Sequence, residues 1–338
     1  MLFDPFFLRG MHLKNRIIMA PMCQYSAGED GFPQSWHEIH YVSRAVGQVG
    51  AIILEATAVE PRGRISNKDL GLWSDNHIKP LAQIIEKCQS YGCKVGIQIS
   101  HAGRKADIFN EPIVAPSPVR FNNKYQLPEE LDHAEIEKII DAFSAAVQRA
   151  DLTGADFIEI HAAHGYLINQ FLSPLSNLRT DEYGQNRSLF LQQILERARR
   201  QLSSDKPISV RISAEDYKAG GNHPENFGEL LNPIKSLIDI VHVSSGGVVD
   251  DTEIPAFPGY QVKFSEIIRQ QLKLPTIAVG KLDSPILAEE ILQNKRADLI
   301  ALGRELLRNP YWVLRTSSEL KSSIDWPIQY LRAQHNIG

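Results

Sequence analysis

A chain of 338 residues with 43% hydrophobic and 22% charged side chains holds enough apolar material for one large domain or two ordinary ones. Its formal net charge of -4 offers no basic field for nucleic acid or an anionic membrane. The segment from Met1 to Gly10 carries Asp4 and Pro5 and does not read as a signal peptide, and no run of roughly 18 apolar residues reads as a membrane span.

In chain order, Phe6 to Leu13 reads as a short hairpin turning at Arg9-Gly10. A strand is expected over Arg16 to Met19, a helix over Trp36 to Val49, a strand over Ala51 to Val59 and a helix over His77 to Tyr91. The strand Lys94 to Ser100 leads into a long Pro- and Asn-rich excursion, Phe109 to Leu131, and then a helix, His133 to Leu152, with Asp132 as its cap. A strand at Phe157 to Ala162 precedes a helix at Ser188 to Leu202, and a strand at Ile208 to Ser213 precedes a helix at Asn226 to Leu237. The remaining pairs are Ile240 to Ser244 with Val262 to Gln271, Pro275 to Gly280 with Ser284 to Gln293, and Asp298 to Gly303 with Tyr311 to Leu320.

Strict strand–helix alternation implies a parallel sheet, and eight units are the number that closes a (β/α)8 TIM barrel. Runs such as IAVG and IALG are apolar on both faces, as buried parallel strands are. The rival, a doubly wound sheet, wants a Gly-rich turn after the first strand, where this chain reads A-P-M-C-Q-Y. One α/β domain spanning 1–338 is expected, with the N-terminal hairpin as a plug under the barrel and loop excursions at its C-terminal face.

On a barrel, the strand ends converge on one mouth. They carry Cys23 and Tyr25; Gln98, Ser100, His101 and Gly103-Arg104-Lys105; His161-Ala162-Ala163-His164-Gly165-Tyr166; and Arg211. The late strands end at Ser245-Gly246-Gly247, Val279-Gly280 and Gly303-Arg304, a pattern suited to a phosphate held by backbone N–H groups and an arginine. Plain turn glycines are the bland alternative. His161 and His164 fit two roles: zinc ligands, with Glu159 on the same strand face as a third, or hydrogen-bond donors to a substrate oxygen. A structural histidine pair is the third possibility. His37 and His40 read as an ordinary helix face, and Cys88 and Cys93 as packing residues. Cys23, at a strand end without a dedicated base, is a weak nucleophile candidate. Three cysteines lacking any Cys-x-x-Cys suit a reducing compartment.

Several blocks resemble the old yellow enzyme family, in its bacterial branch, over nearly the whole chain. They are L-K-N-R-I-I-M-A-P-M-C-Q-Y (Leu13 to Tyr25), G-I-Q-I-S-H-A-G-R-K (Gly96 to Lys105), I-E-I-H-A-A-H-G-Y-L-I-N-Q-F-L-S-P (Ile158 to Pro174), N-x-R-T-D-E-Y-G (Asn177 to Gly184), V-R-I-S (Val210 to Ser213) and A-D-L-I-A-L-G-R-E-L-L-R-N-P (Ala297 to Pro310). The resemblance implies an FMN-dependent NAD(P)H ene-reductase, an NADPH dehydrogenase in the cytoplasm. It places Ala20, Pro21, Met22, Cys23 and Ala56 along the flavin, Gln98 at its pyrimidine edge and Arg211 near N1 and O2. It gives the FMN phosphate to Gly246, Gly280, Gly303 and Arg304. His161 and His164 would polarise the substrate, Tyr166 would protonate its α-carbon, and Tyr25 would touch it.

P-I-Q-Y-L-R-A (Pro327 to Ala333) resembles the tail that carries an arginine, here Arg332, into a neighbouring subunit's active site. The segment 321–338 would then lie at a subunit interface of a homodimer or homotetramer; by itself Arg332 reads as a solvated terminal arginine. The family's Gly-Ser-x-Glu insert after Gly184 is missing, so that loop is shorter. The competing functions are a nitro-compound or quinone reductase at the same site, a redox-free phosphate-binding aldolase or isomerase, and a non-catalytic flavin-binding scaffold. The aldolase would want a Schiff-base lysine or an acid–base carboxylate at a strand end, and none stands out. The larger dienoyl-CoA reductases would need cysteines for a cluster that this chain lacks.

Overall fold

The computed structural model describes residues 1–108 and 111–334. A hairpin of β1 (Phe6–Leu8) and β2 (Met11–Leu13) comes first, then β3 (Ile17–Met19), α1 (Ser35–Val46), β4 (Ala51–Ala58), α2 (Ile78–Gln89) and β5 (Lys94–Ser100). Among the described residues the excursion contains only the short pair β6 (Val114–Ala115) and β7 (Glu129–Glu130); its Phe109 and Asn110 lie outside them. Next come α3 (His133–Leu152), β8 (Phe157–Ala162), α4 (Leu167–Leu172), α5 (Glu182–Gln185), α6 (Leu189–Gln201), β9 (Ile208–Ser213), α7 (Phe227–Leu231) and β10 (Ile240–Ser244). The chain closes with α8 (Val262–Leu272), β11 (Thr276–Ala278), α9 (Pro285–Gln293), β12 (Leu299–Leu302), α10 (Arg304–Arg308) and α11 (Trp312–Glu319).

Strands β3, β4, β5, β8, β9, β10, β11 and β12 form a closed barrel, every neighbouring pair parallel. The eightfold barrel expected from the alternation is therefore observed. The pleat sorts each strand's side chains into two cores. Ile18, Ala51, Ile53, Phe157, Ile240, Ile277, Leu299 and Ala301 pack together inside the barrel. Their alternate neighbours Ile17, Met19, Ile52, Leu54, Ile158, Val241 and Ile300 pack outward with the helices. Met11 and Leu13 join the inner cluster with Phe6 and Leu8 against it, so the hairpin does plug the barrel. Gly96 makes room inside: a Cβ there would sit 2.5 Å from the Phe157 ring.

Several boundaries differ from expectation. The helix expected to reach Val49 ends at Val46, where a Cβ on Gly47 would lie 2.0 Å from the Pro310 carbonyl oxygen. The single helix expected over Asn226 to Leu237 is α7 followed by a 3-10 stretch, Asn232–Leu237, because Pro233 has no N–H for an α-helical bond. The strand expected over Pro275 to Gly280 shrinks to Thr276–Ala278. The caps hold: Asp132 accepts from Glu135 N–H, and Ser284 accepts from Leu287 N–H ahead of Pro285.

Candidate active site at the C-terminal mouth of the barrel

Strand β8 delivers His161 to the mouth, and the turn after it delivers His164 and Tyr166. This turn is left-handed twice in succession, with φ of 58° at His164 and 74° at Gly165. A Cβ added at Gly165 would collide with the Gly247 carbonyl oxygen, so two loops at the mouth touch backbone to backbone. The His161 ring lies 5.2 Å from that of His164 and 5.0 Å from that of Tyr166, edge to face in both cases.

Burial, then the Arg211 charge, holds both imidazoles well below the ordinary histidine range, so both are neutral. Neutral imidazole has one donor, and the surroundings choose it. His161 Nδ1 accepts from Ala163 N–H at 3.3 Å, which puts the proton on Nε2. His164 Nε2 lies 2.8 Å from Ser244 Oγ, which is 3.4 Å from its other partner, Gln261 Oε1. Ser244 Oγ donates to that amide oxygen and pairs with His164 Nε2, and His164 Nδ1 has no protein partner among the described residues. Tyr166 keeps its phenol proton, burial raising it well above the usual value.

Glu159 does not stand beside the histidines as a third ligand. Inside the barrel it accepts from Gln98 Nε2 at 2.8 Å, from Ser209 Oγ at 2.9 Å and from His242 Nδ1 at 2.9 Å. Burial would raise it, but His242 and Arg211 hold it at about 2. Because a carboxylate only accepts, the Gln98 amide nitrogen faces it and the amide oxygen is left for a donor. Arg211 is buried and its Nε has no protein partner. It opens onto a cavity also lined by Ser244, Tyr260, Gly280, Gly303 and Arg304. Gly280 adopts φ of 128°, a conformation side chains rarely take, and Lys281 and Arg308 add positive charge to the same cavity. An orphaned buried cation, a basic cavity wall and glycine turns suit a phosphorylated, hydrogen-bonding ring cofactor.

After β3 and within β4, Ala20, Pro21 and Ala56 are buried, while Met22 and Cys23 are partly exposed and Tyr25 is exposed in a left-handed turn. Burial pushes the Cys23 thiol up, which leaves it a poor nucleophile. Gly246, also left-handed, sits in the loop after β10. His101, at the same end of the barrel, is engaged by Glu60 in the loop after β4 at 2.8 Å and takes the Gly103 N–H. His37 turns inward from α1, its Nε2 3.5 Å from Glu55 Oε1. Cys88 and Cys93 are buried packing residues. Arg332 is exposed on the terminal 3-10 turn Ile328–Ala333.

Sequence reasoning passed over Tyr260 and Glu55. Glu55 is fully buried, accepts from Gln24 N–H at 2.7 Å and from Tyr41 Oη at 2.9 Å, and burial raises it to about 7. A lone carboxylate in the apolar strand AIILEATA was the signal for it.

A sequence profile of the NADH:flavin oxidoreductase / NADH oxidase family matches residues 1–323. The NADPH dehydrogenase of Clostridium acetobutylicum is 50% identical over 336 residues, covering 98% of this chain and 99% of that protein. Morphinone reductase superposes with a TM-score of 0.81 at 26% identity, over 96% of this chain and 91% of the other. The old yellow enzyme homologue of Zymomonas mobilis superposes with a TM-score of 0.80 at 27% identity, over 97% and 95%.

Proposed function

Since this chain belongs to the NADH:flavin oxidoreductase / NADH oxidase family, in the bacterial branch of the old yellow enzymes, and is an FMN-dependent NADPH oxidoreductase, we propose that it reduces activated alkenes. The substrate class is an enone, enal, maleimide or nitroalkene, in which one electron-withdrawing oxygen conjugates with the double bond. Bound FMN, once reduced by NADPH, supplies hydride to the β-carbon. Everything else falls to the chain.

The observation that carries the proposal is the pair of neutral histidines at one mouth, with the proton of His161 on Nε2 and Nδ1 of His164 left without a protein partner among the described residues. Two donors on one substrate oxygen stabilise the negative charge that builds there during the reaction. Tyr166, protonated and beside His161, is placed to give its proton to the α-carbon. Tyr25, exposed at the rim, contacts the substrate.

For the cofactor, Ala20, Pro21, Met22, Cys23 and Ala56 form one wall, and Gln98 offers its amide oxygen to the ring. Arg211 supplies a fixed cation where reduction adds charge, and Gly246, Gly280, Gly303 and Arg304 hold the phosphate. The orphaned Arg211 Nε and the free end of the Gln98 amide support this fit.

The exposure of Arg332 leaves it available to a neighbouring copy's site in a homodimer or homotetramer, with 321–338 at the interface. Three free cysteines fit a cytoplasmic setting, and among the described residues no helix is long and apolar enough to cross a membrane.

The test is the double variant His161→Ala, His164→Ala. It should retain FMN and accept electrons from NADPH, yet lose cyclohexenone reduction by about a hundredfold or more. Unchanged enone turnover in that variant contradicts the assignment.

A further inference from the structure

Lys105 ends the short turn Gly103–Lys105 that follows β5. Its ammonium donates to the His164 carbonyl at 2.8 Å and to the Gly247 carbonyl at 3.0 Å. The same nitrogen lies 5.2 Å from the centroid of the Tyr166 ring and 4.4 Å from that of Phe121. The cation therefore bridges the two loops whose backbones meet at Gly165, and does so beside the candidate proton donor.

Its surroundings are unusual for a lysine. The titratable groups facing it are Arg104 on its own turn, His161 from β8, and His164 and Tyr166 from the turn after β8. The loop after β10 meets it with a carbonyl, and the excursion meets it with the Phe121 ring. None of these groups is a carboxylate. Burial, then repulsion from Arg104, brings the ammonium down to about 8. A cation sunk among carbonyls and rings, with no carboxylate paired to it among the described residues, is costly to keep, and such groups cluster where charge develops in a reaction.

We propose that Lys105 is a positioning residue for proton delivery, holding the His164–Gly165 turn in place and stabilising the negative charge that appears on Tyr166 when it protonates the substrate. This rests on the reading of Tyr166 as proton donor. In that step the Tyr166 O–H bond breaks and a C–H bond forms at the α-carbon, complementing the hydride received at the β-carbon. The tyrosine is left as a phenolate, and it recovers a proton from solvent. Lys105 loses no proton; its ammonium offsets the phenolate in a pocket where burial opposes that charge. A neutral lysine would lose the offset and weaken both carbonyl bonds, which are charge-assisted.

The measurement is anaerobic reoxidation of the NADPH-reduced enzyme by cyclohexenone, followed by flavin absorbance from pH 6 to 10, in wild type, Lys105→Arg and Lys105→Met. Wild type should slow as pH rises through about 8, the lysine's own value. Lys105→Arg keeps its charge throughout, so its reoxidation should lose that break while staying within a few fold of wild type below it. Lys105→Met should be slower by about tenfold to a hundredfold at every pH, with reduction by NADPH much less affected. A wild-type profile without the break, a Lys105→Arg profile that keeps it, or a Lys105→Met enzyme reoxidised at the wild-type rate would each overturn the proposal. Should Lys105→Met fail to fold, the arginine variant alone decides. Tyr166→Phe separates the two layers: wild-type reoxidation there sinks the proton-donor reading itself, whereas a slow Tyr166→Phe with a normal Lys105→Met sinks only the role of Lys105.

Discussion

Replacing Gly165 by alanine tests how the site is held. At φ of 74° an added Cβ would lie 2.0 Å from the Gly247 carbonyl oxygen and 2.9 Å from Val248 Cα. The left-handed backbone alone costs an alanine about 1–2 kcal/mol. Ordinary contact demands that the Gly247 loop retreat by about 1 Å or more. Such a retreat breaks one of the two carbonyl bonds made by Lys105, a charge-assisted interaction of about 1.5–3 kcal/mol. The sum is about 2.5–5 kcal/mol of stability. Gly154 is the internal control, since its φ is 81° but nothing lies within 4 Å of its Cβ position. Gly154→Ala should cost only the backbone share. Urea unfolding of the FMN-loaded protein measures both, and enone turnover should fall in Gly165→Ala alone. Equal costs for the two substitutions, or normal turnover in Gly165→Ala, would refute the claim that this close approach shapes the site.

Two further perturbations read out other parts of the account. Ser244→Ala removes the hydroxyl paired with His164 Nε2, so kcat/KM for cyclohexenone should drop by about tenfold, the worth of one hydrogen bond; an unchanged kcat/KM would show that His164 needs no such partner. Glu55, raised by burial to about 7 in the folded chain, ionises at lower pH once unfolded. Its contribution to stability is therefore present below about pH 4.5 and is lost as pH rises to about 7, by up to about 3 kcal/mol. Glu55→Gln should flatten that slope in urea titrations at successive pH values, and an unaltered slope would assign it to other groups.

How much of this was legible varies with the physics. Strands β5, β8, β9 and β10 and helix α3 fall on the residues that pattern and caps predict, because buried parallel strands are continuously apolar and α3 opens on a capping aspartate. The plug was readable from the turn at Arg9-Gly10. The short helices α4, α5 and α10 were not, being too brief to show a helical period. At the site, His161, His164, Tyr166 and Arg211 announce themselves as polar residues at strand ends. Their partners and neutrality do not, since these depend on Ser244 and on burial contributed by distant segments. His101 looked equivalent to them, yet it serves Glu60, and no local pattern separates the two cases. Lys105 belonged to a visible run of polar residues, but its contact with Gly247 spans 142 positions and arises only when the barrel closes. The register irregularity of β4 between Leu54 and Thr57, which flanks Glu55 and Ala56, left no trace in an otherwise uniform apolar run.

The central claim is that electrons pass from NADPH through FMN to an activated alkene. The most direct measurement is the visible spectrum of the FMN-loaded wild-type protein under anaerobic conditions, with NADPH added first and cyclohexenone second. The account predicts that the yellow flavin absorbance bleaches with NADPH and returns in full on adding the enone, with one saturated ketone formed per flavin reoxidised. A flavin that bleaches with NADPH and stays bleached in the presence of enones, maleimides and nitroalkenes alike would contradict it.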